Sequence, residues 1–182
     1  MCVWLDTTPV FNLSFIIQPF VAITKLANPE WSPEQRESVG RVRALYEALG
    51  TKDVETVHRL LAPDLEWWFH GPPSHQYLMR LLTGASSSFV FAPISLVPLG
   101  PTIVLAEGFH PKRAVSWVHA WTITDGVITH VKEYLNTSVT VKRFSSAATD
   151  GDSPSISPPP NCESLWQSKV WRESMPALVL AL

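Results

Sequence analysis

The Asp125-Gly126 pair constrains this chain more than any other feature. It stands between two runs dense in β-branched and aromatic residues, AVSWVHAWTIT (114–124) and VITHVKEYLNT (127–137). A two-residue loop of this composition supplies the positive φ angles of a type I′ turn, whose twist suits paired antiparallel strands. With Thr124 set opposite Val127, a regular ladder places Thr122 opposite Thr129, Ala120 opposite Val131 and Val118 opposite Glu133. Alternation then gathers Ser116, Val118, Ala120, Thr122, Thr129, Val131, Glu133 and Leu135 on one face of the hairpin. Trp117, His119, Trp121, His130, Lys132 and Tyr134 fall on the other.

Upstream the periodicity is helical. Ser32-Pro33-Glu34-Gln35 carries a capping serine, a proline at the first helical position and a glutamine where a capping box needs it. Val39, Val42, Leu45, Tyr46 and Leu49 follow at spacings of three and four, and Gly50 is placed to end the helix in the left-handed region. A second helix is expected over 52–61, where Val54, Val57, Leu60 and Leu61 share a side before Ala62-Pro63-Asp64. The aromatic run LEWWFH (65–70) reads as a strand stopped by Gly71-Pro72-Pro73, and Ser74 is expected to cap a third helix reaching Leu82. From Phe89 onward the chain reads as three or four strands. Helix, helix, strand, helix and an antiparallel run is an α+β order in which helices fill the hollow of one curved sheet. The expected organisation is an N-terminal extension (1–30), the cone domain (31–143), a flexible linker rich in Ser and Pro (144–164) and an apolar segment (165–182) docking on the domain.

Composition excludes several classes of function. Sixteen acidic and fourteen basic residues give a formal charge of -2, so the field that gathers phosphates is missing and nucleic-acid binding is not expected. Cys2 and Cys162 have no metal-ligand spacing, and no H-E-x-x-H, Ser-His-Asp order or glycine-rich phosphate loop occurs, so neither a metal nor a cofactor is expected. The apolar stretch 1–27 has Asp6 ahead of it and Asn12, Gln18 and Pro19 within it, and its first lysine is Lys25. That pattern argues against a secretory leader, and the run is too broken to span a membrane. The expected location is cytoplasmic or nuclear.

The strings APDLEWWFHGPPSHQYLMRLLTG, SWVHAWTITDGVITHVKEYLNTSVTV and the terminal PALVLAL resemble plant wound-induced protein 1 and its relatives. That group belongs to the nuclear-transport-factor-2-like (SnoaL-like) superfamily. The resemblance implies a cystatin-like cone with a pocket, and it implies pairing of two copies through the outside of the sheet. It imports no agreed activity, since the superfamily contains isomerases, hydrolases, cyclases and non-catalytic binders.

Small aliphatic side chains let helices approach a sheet closely, so the first face is expected to line the pocket with Val118, Ala120, Val131 and Leu135, joined by Trp68 and His110. The second face, with Trp117, His119, Trp121, His130 and Tyr134, is then a homodimer interface. Glu133 is the candidate carboxylate, because an acid desolvated among aliphatic groups has a raised pKa. VKEYLN also resembles the R-D-Y-F-D motif of limonene-epoxide-hydrolase-like members, although their paired Arg and Asp on an earlier strand are replaced by Gly108 and His110. His70 precedes a proline turn where ketosteroid-isomerase-like members carry a base. Three functions compete on this reading: a pocket binding a small apolar ligand, a cofactor-free hydrolase or isomerase using Glu133 and His70, and a dimeric adaptor.

Overall fold

The computed structural model describes residues 30–85, 88–144, 162–170 and 175–181. The chain divides after Glu30 into two units, and every element below belongs to the second. Residues 1–29 of the expected extension (1–30) and 145–161 of the expected linker (144–164) lie outside the described residues.

Helix α1 (Pro33–Thr51) opens on the capping box: Ser32 Oγ accepts the Gln35 N–H at 3.2 Å, and Gln35 Oε1 accepts the Ser32 N–H at 2.9 Å. Its stripe of Val39, Val42, Leu45, Tyr46 and Leu49 is buried. Gly50 does not end it. The left-handed residue is Lys52, with φ of 60°, and its N–H bonds the Ala48 carbonyl. The next residue, Asp53, accepts the Thr56 N–H at 3.1 Å and so caps α2 (Val54–Leu60).

Strand β1 (Leu61–His70) follows without a loop. Ser74 is not a cap; Pro73–His75 form a 3-10 turn, and α3 (Tyr77–Leu82) starts after Gln76 without a side-chain cap. The remaining strands are β2 (Pro93–Leu99), β3 (Ile103–His110), β4 (Val115–Thr124), β5 (Val127–Leu135), β6 (Ser138–Phe144), β7 (Cys162–Gln167) and β8 (Ala177–Ala181). Asp125 and Gly126 join β4 to β5 with φ of 50° and 77°, the two positive angles of a type I′ turn.

Five strands form one sheet in the order β1-β5-β4-β3-β2, with β1 parallel to β5 and the other pairs antiparallel. The helices bury one face of it, Val42, Leu45 and Tyr46 packing with Trp117, Trp121, Val131 and Leu135. This is the expected α+β architecture, with the helices packed on one face of a single mostly antiparallel sheet.

At Asn136, with φ of 50°, the chain leaves the sheet. Asn136 accepts the Ser116 N–H at 3.0 Å through Oδ1 and returns its own N–H to the Ser116 carbonyl at 2.8 Å. Strand β6 then centres a second sheet of order β7-β6-β8, whose Val139, Val141 and Trp166 pack on Leu105, Val118, Ala120 and Tyr134. The C-terminal residues thus form strands on both sides of β6, and Cys162 to Ser164, read from sequence as linker, begin β7.

Two polar groups tie this second layer down. Ser168 Oγ accepts the Val139 N–H at 2.9 Å and donates to the Val139 carbonyl at 3.2 Å. Glu107, buried on the covered face, accepts the backbone N–H groups of Lys169 (3.0 Å) and Val170 (3.4 Å) through Oε2. Replacing Glu107 by Ala removes both hydrogen bonds to its carboxylate, which costs about 1–3 kcal/mol. Amide exchange at Lys169 and Val170 is expected to accelerate while exchange in α1 changes less; unchanged protection at those two amides would rule out the tether.

Candidate functional site

The hairpin ladder is not regular. Ile123 pairs with Ile128, but Thr122 pairs with His130, which leaves Thr129 as the extra residue of a β-bulge. Its hydroxyl is 3.2 Å from the Thr124 hydroxyl and 2.8 Å from His130 Nδ1. A slip of one residue exchanges the faces of everything beyond it. Beyond the bulge Trp121 opposes Val131, His119 opposes Glu133 and Trp117 opposes Leu135 on the helix side. Thr122 opposes His130, Ala120 opposes Lys132 and Val118 opposes Tyr134 on the other.

Most of the expected placements change accordingly. Trp117, His119 and Trp121, read as an outer interface, are at most 1% exposed and lie under the chain's own helices. Tyr134 is covered by the second sheet, and of the five interface residues only His130 keeps an exposed side chain. Val118 and Ala120 leave the expected pocket for the covered outer face, while Val131 and Leu135 are on the helix side. Trp68 points outward and is 48% exposed. His70 joins it there, its ring 5.9 Å from Trp68 and 6.2 Å from Tyr134. It therefore does not converge with Glu133, whose cross-strand partner on β1 is Phe69. His110 lies 4.5 Å from Phe89, centroid to centroid, and its buried Nδ1 has no hydrogen bond among the described residues.

Glu133 does sit on the helix side, fully buried, at the centre of a polar chain. Trp67 Nε1 donates to Glu133 Oε2 at 3.0 Å, and His119 Nε2 lies 3.4 Å from Oε1. The other imidazole nitrogen, Nδ1, is 2.7 Å from the Tyr46 hydroxyl, which accepts the Trp121 Nε1–H at 2.9 Å. Donor accounting assigns the tautomer. The Glu133 carboxylate can only accept, so His119 carries its proton on Nε2 and directs it at Glu133, and its Nδ1 accepts the Tyr46 hydroxyl proton. Burial pushes the Tyr46 phenol well above its ordinary pKa, the Trp121 hydrogen bond opposing and the Glu133 charge reinforcing the rise.

Aromatic rings close around this chain. Trp117 stands 5.7 Å from Tyr46, 5.2 Å from Phe91 and 4.9 Å from His119, and Phe91 is 4.9 Å from His119. The centre of the cone is packed core. Sequence reasoning found Glu133 but missed His119 and Tyr46 as its partners: the bulge carries no sequence signal, and Tyr46 reads as one apolar position of a helical stripe.

Open space lies elsewhere. A cavity of about 220 Å³ is walled by Ala48 and Leu49 of α1, Val54, Val57 and His58 of α2, and Leu81 and Leu82 of α3. A groove of about 550 Å³ runs along the outer face of β1 and β5 beside β8. Glu133, His119 and Tyr46 line neither. Among the described residues no group of three or more His, Cys, Asp or Glu is placed to hold a metal ion, and no helix is long and apolar enough to cross a membrane.

Comparison with known proteins finds relatives of this chain. The family model described as Wound-induced protein WI12 matches residues 79–182. Senescence associated gene 20 of Arabidopsis thaliana is 44% identical over 111 residues, covering 57% of this chain and 100% of that protein. Wound-induced protein 1 of Solanum tuberosum is 45% identical over 111 residues, with the same shares. Among solved structures, an NTF2-like protein from Burkholderia xenovorans LB400 is similar at 26% identity and a TM-score of 0.43, covering 56% of this chain and 90% of its own. The family match spans His119 and Glu133 but begins after Tyr46 and Trp67.

Proposed function

The chain belongs to the wound-induced protein WI12 family, and we propose that it binds a small apolar metabolite without transforming it. The observation that carries this reading is the cavity between α1, α2 and α3. Its walls are Ala48, Leu49, Val54, Val57, Leu81 and Leu82, with Lys52 and His58 as the ionisable groups on its lining. Apolar walls reward a ligand through area removed from water, about 25 cal/mol per Å². A volume of about 220 Å³ falls below the roughly 300–1,000 Å³ of sites for drug-sized ligands, which restricts the occupant to a compact molecule. The Glu133, His119 and Tyr46 chain does not act on that occupant, since it ends inside packed aromatic rings and lines no part of the cavity. The polar chain serves to lock α1 to the sheet.

Organic extraction of the purified full chain, followed by mass analysis, tests the reading. Wild type is expected to release an apolar compound in proportion to protein. Ala48→Leu and Val57→Phe, which fill the cavity, are expected to release less than about one tenth as much while unfolding cooperatively, volume increases of this kind being tolerated at about 1–3 kcal/mol. Glu133→Gln is expected to retain the compound. Equal yield from the filled variants, or nothing from wild type, would end the proposal.

A further inference from the structure

We propose that the outer groove beside β8 is a second binding site, for an organic anion with a flat apolar body. Two sheet edges frame it, since β1 ends the five-stranded sheet and β8 ends the three-stranded one. The register of β1 on β5 tiles its floor in pairs, Glu66 beside His130 and Trp68 beside Lys132, with Tyr134 next along β5.

Trp68 makes a stacking platform. Its ring lies parallel to His70, 11° apart, and 5.4 Å from Tyr134, which fixes its orientation while leaving it 48% exposed. Trp117 and Trp121, by contrast, are buried. Leu178 and Leu180 of β8 supply the facing apolar wall. A planar or ring-built body laid between an indole and two leucines gains area burial and stacking together.

The charges of the groove select the sign of the ligand. Glu66 Oε2 is 3.3 Å from His130 Nε2, and His130 Nδ1 is 2.8 Å from the Thr129 hydroxyl, so this acid and this imidazole already have partners. Lys132 lines the same groove with no ion pair or hydrogen bond among the described residues. Among the described residues its ammonium is the uncommitted charge of the groove, and an anionic group of the ligand completes it. A volume of about 550 Å³ lies inside the usual range for such molecules.

Titration of the full chain with anilinonaphthalene sulfonate and with uncharged phenylnaphthylamine, followed by dye fluorescence, separates these contributions. Lys132→Met is expected to weaken the sulfonate about tenfold and the neutral dye less than about twofold. Trp68→Ala is expected to weaken both, and Ala48→Leu to leave the sulfonate affinity unchanged. An equal response of the two dyes to Lys132→Met would overturn the anion site. Loss of the sulfonate signal in Ala48→Leu would place the dye in the helix cavity and overturn it equally.

Discussion

Gly108→Ala is expected to lower stability by about 3 kcal/mol, the upper part of the range for overpacked cores. A Cβ added at Gly108 meets the Trp117 indole head on, lying 2.6 Å from Cε2 and closer still to Cζ2, and it stands 2.7 Å from the Ala92 carbonyl oxygen. The indole cannot move aside cheaply, because Tyr46, Phe91 and His119 hold its other faces. Backbone conformation is not the cause, since Gly108 is absent from the positive-φ residues; the cause is volume. Gly40 provides the control. It lies on α1 with nothing within 4 Å of an added Cβ, so Gly40→Ala is expected to stabilise by about 0.5–1 kcal/mol through helix propensity. The same substitution thus acts with opposite signs at two positions. Urea denaturation of both variants measures it, and for a chain of this size the Gly108 variant should also melt about 6–12 °C lower. A Gly108→Ala protein within about 1 kcal/mol of wild type would mean that the interior has slack, and the account of the cone as filled core would fall with it.

Gly108 also shows where sequence reasoning stops. With His110 it reads as the loss of a paired Arg and Asp, whereas its role is to make room for the indole of Trp117, its cross-strand partner. The elements were legible because each has local causes: the Ser32 capping box, the stripe from Val39 to Leu49, and the Asp125-Gly126 turn. The faces of the hairpin were not, because alternation propagates a register perfectly until a bulge interrupts it, and nothing in Thr129 announces one. Glu133 was placed on the helix side with Val118, Ala120, Val131 and Leu135, of which Val131 and Leu135 share its parity within β5 and stay with it, while Val118 and Ala120 across the bulge do not. His119 was misplaced because its position depended on pairing across the bulge. The C-terminal strands were anticipated only as an apolar docking segment, since their partner β6 becomes available where the chain leaves the first sheet at Asn136.

His119→Leu is expected to cost about 3 kcal/mol, because it takes one buried hydrogen bond from the Glu133 carboxylate and another from the Tyr46 hydroxyl. The variant leaves Glu133 Oε1 without its donor and Tyr46 without its acceptor in a region of 0–4% exposure. Glu133→Leu alone orphans the N–H groups of His119 and Trp67. Combining the two removes both sides of the contact, so the double variant is expected to be more stable than the sum of the single losses predicts, with a coupling of about 1–3 kcal/mol. Tyr46 adds a dependence on pH that the cycle can read independently. Its phenol ionises above its ordinary value in the folded chain, so the stability it contributes is complete below the unfolded pKa near 10 and is lost as pH rises from there towards the folded value. Tyr46→Phe removes that titration, and the fall in stability above about pH 10 should become shallower in the variant. Strict additivity in the His119 and Glu133 cycle, together with an unchanged alkaline slope in Tyr46→Phe, would show that the three side chains are neighbours without being coupled.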